Sequence, residues 1–113
     1  MHWNQLESAE QLELIHQASF TNPQAIFKHS TRCNISSMAK MRLDQMDGPD
    51  EIPFYYLDLI QFRNISNEIA DKWQVHHESP QLLIIRNGEC VYEASHMEIR
   101  ADEIRDALPE LNP

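Results

Sequence analysis

The sequence lacks several features that would assign it to a broad class of protein. No apolar run approaches the roughly 18 residues that a membrane-spanning helix needs. The first residues, Met1-His2-Trp3-Asn4, have neither the basic region nor the apolar stretch of a secretory signal, so we expect a cytoplasmic protein. Basic residues are also scarce: the formal net charge is −9, whereas a nucleic-acid partner would require a basic surface. We therefore expect neither a membrane partner nor a nucleic-acid partner.

Cysteine is limited to Cys33 and Cys90, which lie far apart in the sequence. There is no C-x-x-C motif and no Cys/His cluster with the spacing of a zinc site, so neither a dithiol redox pair nor a metal site is predicted. In a reducing cytoplasm the two cysteines are expected to be free thiols rather than a structural disulfide.

What is present is the pattern of one α/β domain, residues 1–113, with 42% hydrophobic residues to form its core. Helical and strand patterns alternate in the order α-β-α-β-α-β-β-α. Strands joined through a helix are expected to be parallel, with a right-handed crossover, and a hairpin supplies antiparallel strands. The prediction is a three-layer α/β/α sandwich with a four-stranded mixed sheet.

The boundaries of these elements follow from capping residues, turn residues and changes of hydrophobic period. In chain order they are a helix opened by the Ser8–Gln11 capping box, a strand 24–29, a helix after Cys33, a turn 47–50, a strand 54–60, a helix capped by Asn64, strands 81–86 and 89–94 joined by Asn87-Gly88, and a helix 101–108 closed by Pro109.

Cys33 occupies the most informative position, where a strand runs through a short polar turn into a helix. The first N–H groups of a helix have no intrahelical partner and the helix dipole favours negative charge there, so a thiolate is stabilised. Arg32 adds positive charge beside it, and Lys28 is a second candidate for that role. The thiolate is the nucleophilic form of cysteine, so this placement predicts a reactive thiol. The alternative is a buried cysteine that acts as a small hydrophobic residue.

The element order, with a thiol after one strand and a proline opening the hairpin strand, resembles the thioredoxin fold. That resemblance implies that Ser79-Pro80 contains a cis peptide bond and that its loop packs beside the thiol. Backbone groups of Ser79 would then pair with the extended backbone of a substrate.

More closely, the chain resembles the monothiol bacilliredoxins, the YtxJ-type proteins of bacteria that use bacillithiol. The matching segments span most of the chain: Phe27-Lys28-His29-Ser30-Thr31-Arg32-Cys33, Ile35-Ser36, Arg63 with Ser66-Asn67 and Ile69-Ala70, His77-Glu78-Ser79-Pro80-Gln81, and Ala94-Ser95-His96. The resemblance implies reduction of mixed disulfides between bacillithiol and protein cysteines. The partners would be S-bacillithiolated client proteins, with bacillithiol as a thiol co-substrate and no other cofactor.

Within this resemblance Cys33 is the expected catalytic thiol. One departure is Asn34, where family members usually carry proline. Proline suits the first helical turn, so this departure bears on the surroundings of the thiol rather than on the fold. The residues expected to contact substrate are Thr31, Arg32, Asn34, Ser36, Ser79 and Pro80.

Ser36 stands where a dithiol oxidoreductase has its second, resolving cysteine. A hydroxyl cannot form a disulfide, so a monothiol route through a mixed disulfide remains. Ser36 either donates a hydrogen bond to the Cys33 thiolate or satisfies backbone groups at the start of the helix. Cys90 is expected to be a buried structural residue rather than a resolving thiol.

Several other polar residues have two interpretations each. His29, His77 and His96 either assist the thiol as a cation or proton donor or hydrogen-bond the loop backbone. Arg63 either pairs with a carboxylate of the protein or, like Arg32, contacts the carboxylates of bacillithiol. Asp58 is either a strand-end residue or a general acid or base.

Two other functions compete with thiol–disulfide exchange. The first is a thioredoxin-fold stress or binding protein whose cysteine is only modified by low-molecular-weight thiols. The second is an iron–sulfur carrier like the monothiol glutaredoxins. Those proteins carry Cys-Gly-Phe-Ser and a paired-glycine motif, whereas this chain has Cys-Asn-Ile-Ser and only two glycines.

Overall fold

The computed structural model describes residues 1–46 and 52–111. The turn predicted at residues 47–50 lies outside these ranges. The elements in chain order are β1 Trp3–Gln5, α1 Ala9–Ala18, β2 Gln24–His29, α2 Asn34–Asp44, β3 Phe54–Asp58, α3 Arg63–Lys72, β4 Gln81–Arg86, β5 Glu89–Ser95, a 3-10 turn His96–Glu98 and α4 Ala101–Leu111.

The strands form one mixed sheet in the order β1-β3-β2-β4-β5. β1, β3 and β2 are parallel to one another, and β4 and β5 are antiparallel to their neighbours. The α/β class and the mixed sheet are confirmed, but the sheet has five strands rather than the predicted four. The additional strand is β1, which is only three residues long and has no β-branched residue. It is held by pairing of Trp3 with Phe54 and by contact of the Trp3 ring with Phe27, neither of which is visible in the local sequence.

β2 is the central strand, and all six of its residues are buried. Because successive side chains of a strand point to opposite faces, Phe27 contributes to the core beneath α2 and α4 and Ile26 to the core beneath α1 and α3. The two hydrophobic clusters lie on opposite faces of the sheet, so the predicted three-layer arrangement is observed.

Helix ends were predicted with mixed success. The capping box of α1 is present, since Ser8 N–H donates to Gln11 Oε1 at 3.0 Å. The prediction that Asn64 caps α3 is wrong, because the helix begins at Arg63 with Phe62 at the N-cap. Pro109 does not close α4, which continues to Leu111. Pro109 has no N–H to donate, so α4 continues through it with one helical hydrogen bond fewer.

Asp58 is the last residue of β3, which ends two residues before the predicted boundary at residue 60. This position matches the strand-end interpretation of Asp58. Its Oδ1 accepts hydrogen bonds from the N–H groups of Ile60 at 3.1 Å and Gln61 at 3.4 Å. The carboxylate therefore shapes the connection between β3 and α3.

In the described parts of the chain, no helix is long and apolar enough to cross a membrane.

The β4–β5 hairpin turns at Asn87-Gly88, as predicted, with φ angles of 55° and 79°. Both values lie in the left-handed region that a two-residue type I′ turn requires. The turn is also tied to the end of α1, because Gly88 N–H donates to Ser19 Oγ and Asn87 N–H donates to the carbonyl of Ser19, each at 2.9 Å.

Gly88→Ala is therefore expected to destabilise the protein by about 1–3 kcal/mol, the usual cost of a non-glycine residue in this conformation. The new Cβ would also lie 2.9 Å from Cζ of Phe20 and 3.0 Å from Cε1 of His16. Urea unfolding measures the change. Glu89→Ala, on an exposed neighbour, is the control and should shift the midpoint little. Equal midpoints for the two variants would contradict this interpretation of the turn.

Candidate active site

Three loops meet at the carboxyl edge of β2. Parallel β2 and β3 end there together, and Leu59 N–H donates to the His29 carbonyl at 3.0 Å. Antiparallel β4 begins at the same edge, with Gln81 opposite Lys28. The register therefore brings Ser79-Pro80, which directly precedes β4, beside the residues that follow β2 and lead to Cys33.

Cys33 is the N-cap residue of α2, with φ −113° and ψ 123°. Its N–H donates to the Ser30 carbonyl at 3.2 Å, and its carbonyl accepts from Ser37 N–H at 3.0 Å. The residue is half-buried, and its neighbours Arg32 and Asn34 are exposed, as is Thr31. Cys33 thus lies at the start of a helix, half-buried between exposed neighbours, in the position expected from the sequence.

A buried serine and a buried histidine hold the turn beneath Cys33. Ser36, which has no exposed surface, accepts a hydrogen bond from Ser30 N–H at 3.0 Å. The same hydroxyl lies 2.7 Å from His29 Nδ1. These contacts join the end of β2, the turn and the first turn of α2. They match the second interpretation of Ser36, in which its hydroxyl satisfies groups at the start of the helix.

His29 is 5% exposed, and burial together with nearby Lys40 holds its pKa below the ordinary value of histidine. The imidazole is therefore neutral at neutral pH. A neutral ring suits its hydrogen bond with Ser36 and does not suit a role as a cationic partner of the thiol.

The Ser79–Pro80 peptide bond is cis. Pro80 is buried and Ser79 is half-buried. The Pro80 carbonyl accepts a hydrogen bond from His96 N–H at 3.0 Å, and His96 Nε2 lies 3.1 Å from the Glu78 carboxylate. His96 therefore supports the loop, which corresponds to the second interpretation of the histidines.

Lys28 does not lie beside the thiol. It is completely buried on the α3 side of the sheet, where Nζ lies 3.3 Å from the Ser66 carbonyl and 3.3 Å from His77 Nδ1. The contact between β2 and the segment before Ser79 was not predicted from the sequence. The available signal was a charged residue inside an apolar run, which in a central strand must find a buried partner.

Cys90 lies in the edge strand β5, half-buried, and its Sγ donates to the Tyr92 carbonyl at 3.3 Å. Burial raises its pKa to about 11. Both cysteines are free thiols, as predicted.

Arg63 is exposed at the start of α3. Among the described residues there is no group of three or more His, Cys, Asp or Glu side chains that would hold a metal ion.

Replacing Ser36 by alanine should leave Ser30 N–H and His29 Nδ1 without their buried partner, which costs about 1–3 kcal/mol. Ser37→Ala is the matched control, because Ser37 is the exposed next residue of the same helical turn and its loss should change stability by less than about 0.5 kcal/mol. Urea unfolding of both variants tests the difference. If both variants unfold at the wild-type midpoint, the Ser36 contacts do not hold the turn.

Comparison with solved structures gives related folds. A protein with a thioredoxin fold is 31% identical over 93% of this chain and 92% of its own, with a TM-score of 0.82. The thioredoxin of Malassezia sympodialis is 16% identical over 94% of this chain and 87% of its own, with a TM-score of 0.73. A mutant thioredoxin from Halobacterium salinarum is 12% identical over 99% of this chain and 92% of its own, with a TM-score of 0.75.

The family model described as monothiol bacilliredoxin BrxC matches residues 4–104, which include the Cys33 turn, the loop before β4 and nearly all of the five-stranded sheet. Because this match covers nearly the whole chain and the fold agrees with it, the protein belongs to the monothiol bacilliredoxin family and has a thiol–disulfide redox role.

Proposed function

We propose that the protein reduces mixed disulfides between bacillithiol, or a related low-molecular-weight thiol, and the cysteines of client proteins in the cytoplasm. The observation that carries the proposal is a half-buried cysteine at the N-cap of α2, beside the loop that contains Ser79-Pro80. Residue 36, three positions on, is a buried serine, so the site has one thiol and no adjacent resolving thiol.

The proposed reaction consists of two thiol–disulfide exchanges. The Cys33 thiolate attacks the bacillithiol sulfur of the client's mixed disulfide, the client–bacillithiol S–S bond breaks, and the client thiolate leaves and takes a proton. A second bacillithiol, as its thiolate, then attacks the bacillithiol sulfur now attached to Cys33. That step releases the Cys33 thiolate and forms bacillithiol disulfide. The two electrons that reduce the client disulfide therefore come from the low-molecular-weight thiol.

The properties of Cys90 favour resolution by an external thiol. Its pKa is raised to about 11, so at neutral pH it is protonated and a poor nucleophile. It lies in edge strand β5, hydrogen-bonded to the carbonyl of Tyr92, rather than at the carboxyl edge of β2.

The surroundings of Cys33 suit an anionic ligand attached to a protein. Arg32 is exposed one residue before the thiol, and Arg63 is exposed at the start of α3, at the same edge of the sheet. We propose that these side chains contact the carboxylates of bacillithiol. Ile35 and Met38 are 42% and 49% exposed on α2, and such apolar surface favours contact with a protein client.

The remaining substrate contacts in this proposal come from the two loops. Exposed Thr31 and Asn34 flank the thiol on the α2 side, and backbone groups of Ser79 receive the client backbone while Pro80 shapes that loop. Ser36 contributes through the turn that it holds, because it has no exposed surface.

Multiple-turnover reduction of a bacillithiolated client protein, with bacillithiol in excess, tests the proposal against the binding-protein alternative. The wild type and Cys90→Ser should both turn over many client molecules, whereas Cys33→Ser should show only the rate of bacillithiol alone. Arg32→Ala and Arg63→Ala should raise KM for the bacillithiolated client. A wild-type protein that is bacillithiolated once at Cys33 and then stops would favour a cysteine that is only modified.

A further inference from the structure

A small polar cluster is buried on the α3 side of the sheet, separate from the Cys33 turn. It consists of Lys28, Ser66 and His77, and is called the Lys28 cluster below. Lys28 has no exposed surface and Ser66 has 1%. Lys28 Nζ lies 3.3 Å from the Ser66 carbonyl and 3.3 Å from His77 Nδ1, and Ser66 Oγ lies 3.4 Å from the same nitrogen. The cluster therefore joins β2, α3 and the segment that leads to Ser79.

The ammonium group determines the state of His77. An ammonium has three N–H donors and no acceptor, so Nδ1 of His77 must accept and the imidazole must be neutral. Burial lowers the pKa of His77, and the charges of Lys28 and Arg63 lower it further. His77 is thus held by its inner nitrogen as a neutral acceptor, two residues before Ser79.

The outer side of the same loop is held by different residues. Glu78 pairs with His96 at 3.1 Å, and His96 N–H donates to the Pro80 carbonyl at 3.0 Å. Gln81 Nε2 donates to the His76 carbonyl at 3.0 Å. These tethers come from the loop itself, β4 and the 3-10 turn that follows β5. The Lys28 tether instead comes from β2, the strand that leads to Cys33.

A buried ammonium is not a means of stabilising this fold. Desolvation lowers the pKa of Lys28 to about 8, although Glu93 opposes the effect, whereas an unfolded chain holds the proton to about 10.4. Between these values the unfolded state binds more protons than the folded state, so stability rises as the pH rises. The protonated form therefore works against folding at neutral pH, and an aliphatic side chain would avoid that cost.

We propose that Lys28 and His77 are positioning residues that fix the loop containing Ser79-Pro80 beside the Cys33 turn, so that a peptide disulfide is held for attack. Neither residue touches the client. Their contribution is to link β2, the strand that leads to the Cys33 turn, to the loop that receives the client backbone. The inference rests on the proposed function, in which Cys33 exchanges with disulfides of protein clients.

The test compares two reactions of Cys33 in the same protein. Alkylation by iodoacetamide needs a reactive thiol but does not need the loop containing Ser79-Pro80. Exchange with a short synthetic peptide in mixed disulfide with bacillithiol needs both. Lys28→Met should slow peptide exchange about 10- to 100-fold, the usual effect of a small misplacement of reacting groups, and leave alkylation within about twofold. Lys72→Met is the control, because it removes an exposed lysine from α3, and it should change neither rate.

A second pair of variants tests the acceptor on His77. His77→Asn keeps a hydrogen-bond acceptor near the position of Nδ1 and should retain most of the peptide exchange rate. His77→Leu removes the acceptor and should resemble Lys28→Met. This comparison remains informative if Lys28→Met fails to fold, which urea unfolding detects.

The pH dependence of the two rates provides a readout that a merely structural residue would not change. Dividing the peptide exchange rate by the alkylation rate cancels the ionisation of Cys33. In the wild type this ratio should fall as the pH rises through about 8, where the Lys28 ammonium loses its proton and its hydrogen bonds weaken. In Lys28→Met the ratio should not change with pH. The other charged or titratable groups that act on the Lys28 cluster are Glu93, Arg63, His76 and Glu78.

The outcomes separate the two proposals. If the wild type is alkylated at Cys33 but does not exchange with the peptide, the proposed function fails. The positioning role is overturned if the wild type exchanges but Lys28→Met and His77→Leu leave the ratio of peptide exchange rate to alkylation rate unchanged. This includes the case in which each variant lowers both rates by the same factor. A ratio that falls in both variants and is restored by His77→Asn supports it.

Discussion

The antiparallel pairing of β2 with β4 is the constraint on which the site depends. Gln81 lies opposite Lys28, so the residues before β4 and the residues after β2 must meet at one edge of the sheet. Cys33 lies in the second of these segments and Ser79-Pro80 in the first. Both segments take their position from the central strands that they adjoin, the Cys33 turn from β2 and the loop containing Ser79-Pro80 from β4.

Lys28 and His29, the last two residues of β2, each hold one of these two segments. Successive side chains point to opposite faces, so His29 reaches Ser36 beneath the Cys33 turn while Lys28 reaches His77 before the loop containing Ser79-Pro80. Burial lowers the pKa of both histidines and of the lysine, so at neutral pH the rings are neutral and the charge resides on the amine. The strand end thereby connects thiol and loop through hydrogen bonds on both faces.

Features set by a few adjacent residues were predictable from the sequence. The capping box of α1, the Asn87-Gly88 turn and the thiol at the start of α2 all follow from local backbone requirements. Features set by tertiary contact were not. β1 exists because Trp3 packs on residues far along the chain, and the orientation of Lys28 follows from the register and faces of β2 rather than from its neighbours in sequence. Two helix boundaries also differ from those predicted: α3 begins at Arg63 instead of after Asn64, and α4 continues to Leu111 instead of ending before Pro109.

We propose that the Cys33 turn and the loop containing Ser79-Pro80 act together as a single site for a client. The measurement that tests this is the change in backbone amide chemical shifts when a bacillithiolated client peptide is added to the Cys33→Ser, Cys90→Ser variant, which binds the peptide without exchange. Amides of Ser79, Gln81 and His96 should shift together with those of residues 31–36, since the peptide backbone lies between the two segments. Shifts confined to the Cys33 turn and α2, with the loop unchanged, would contradict the account.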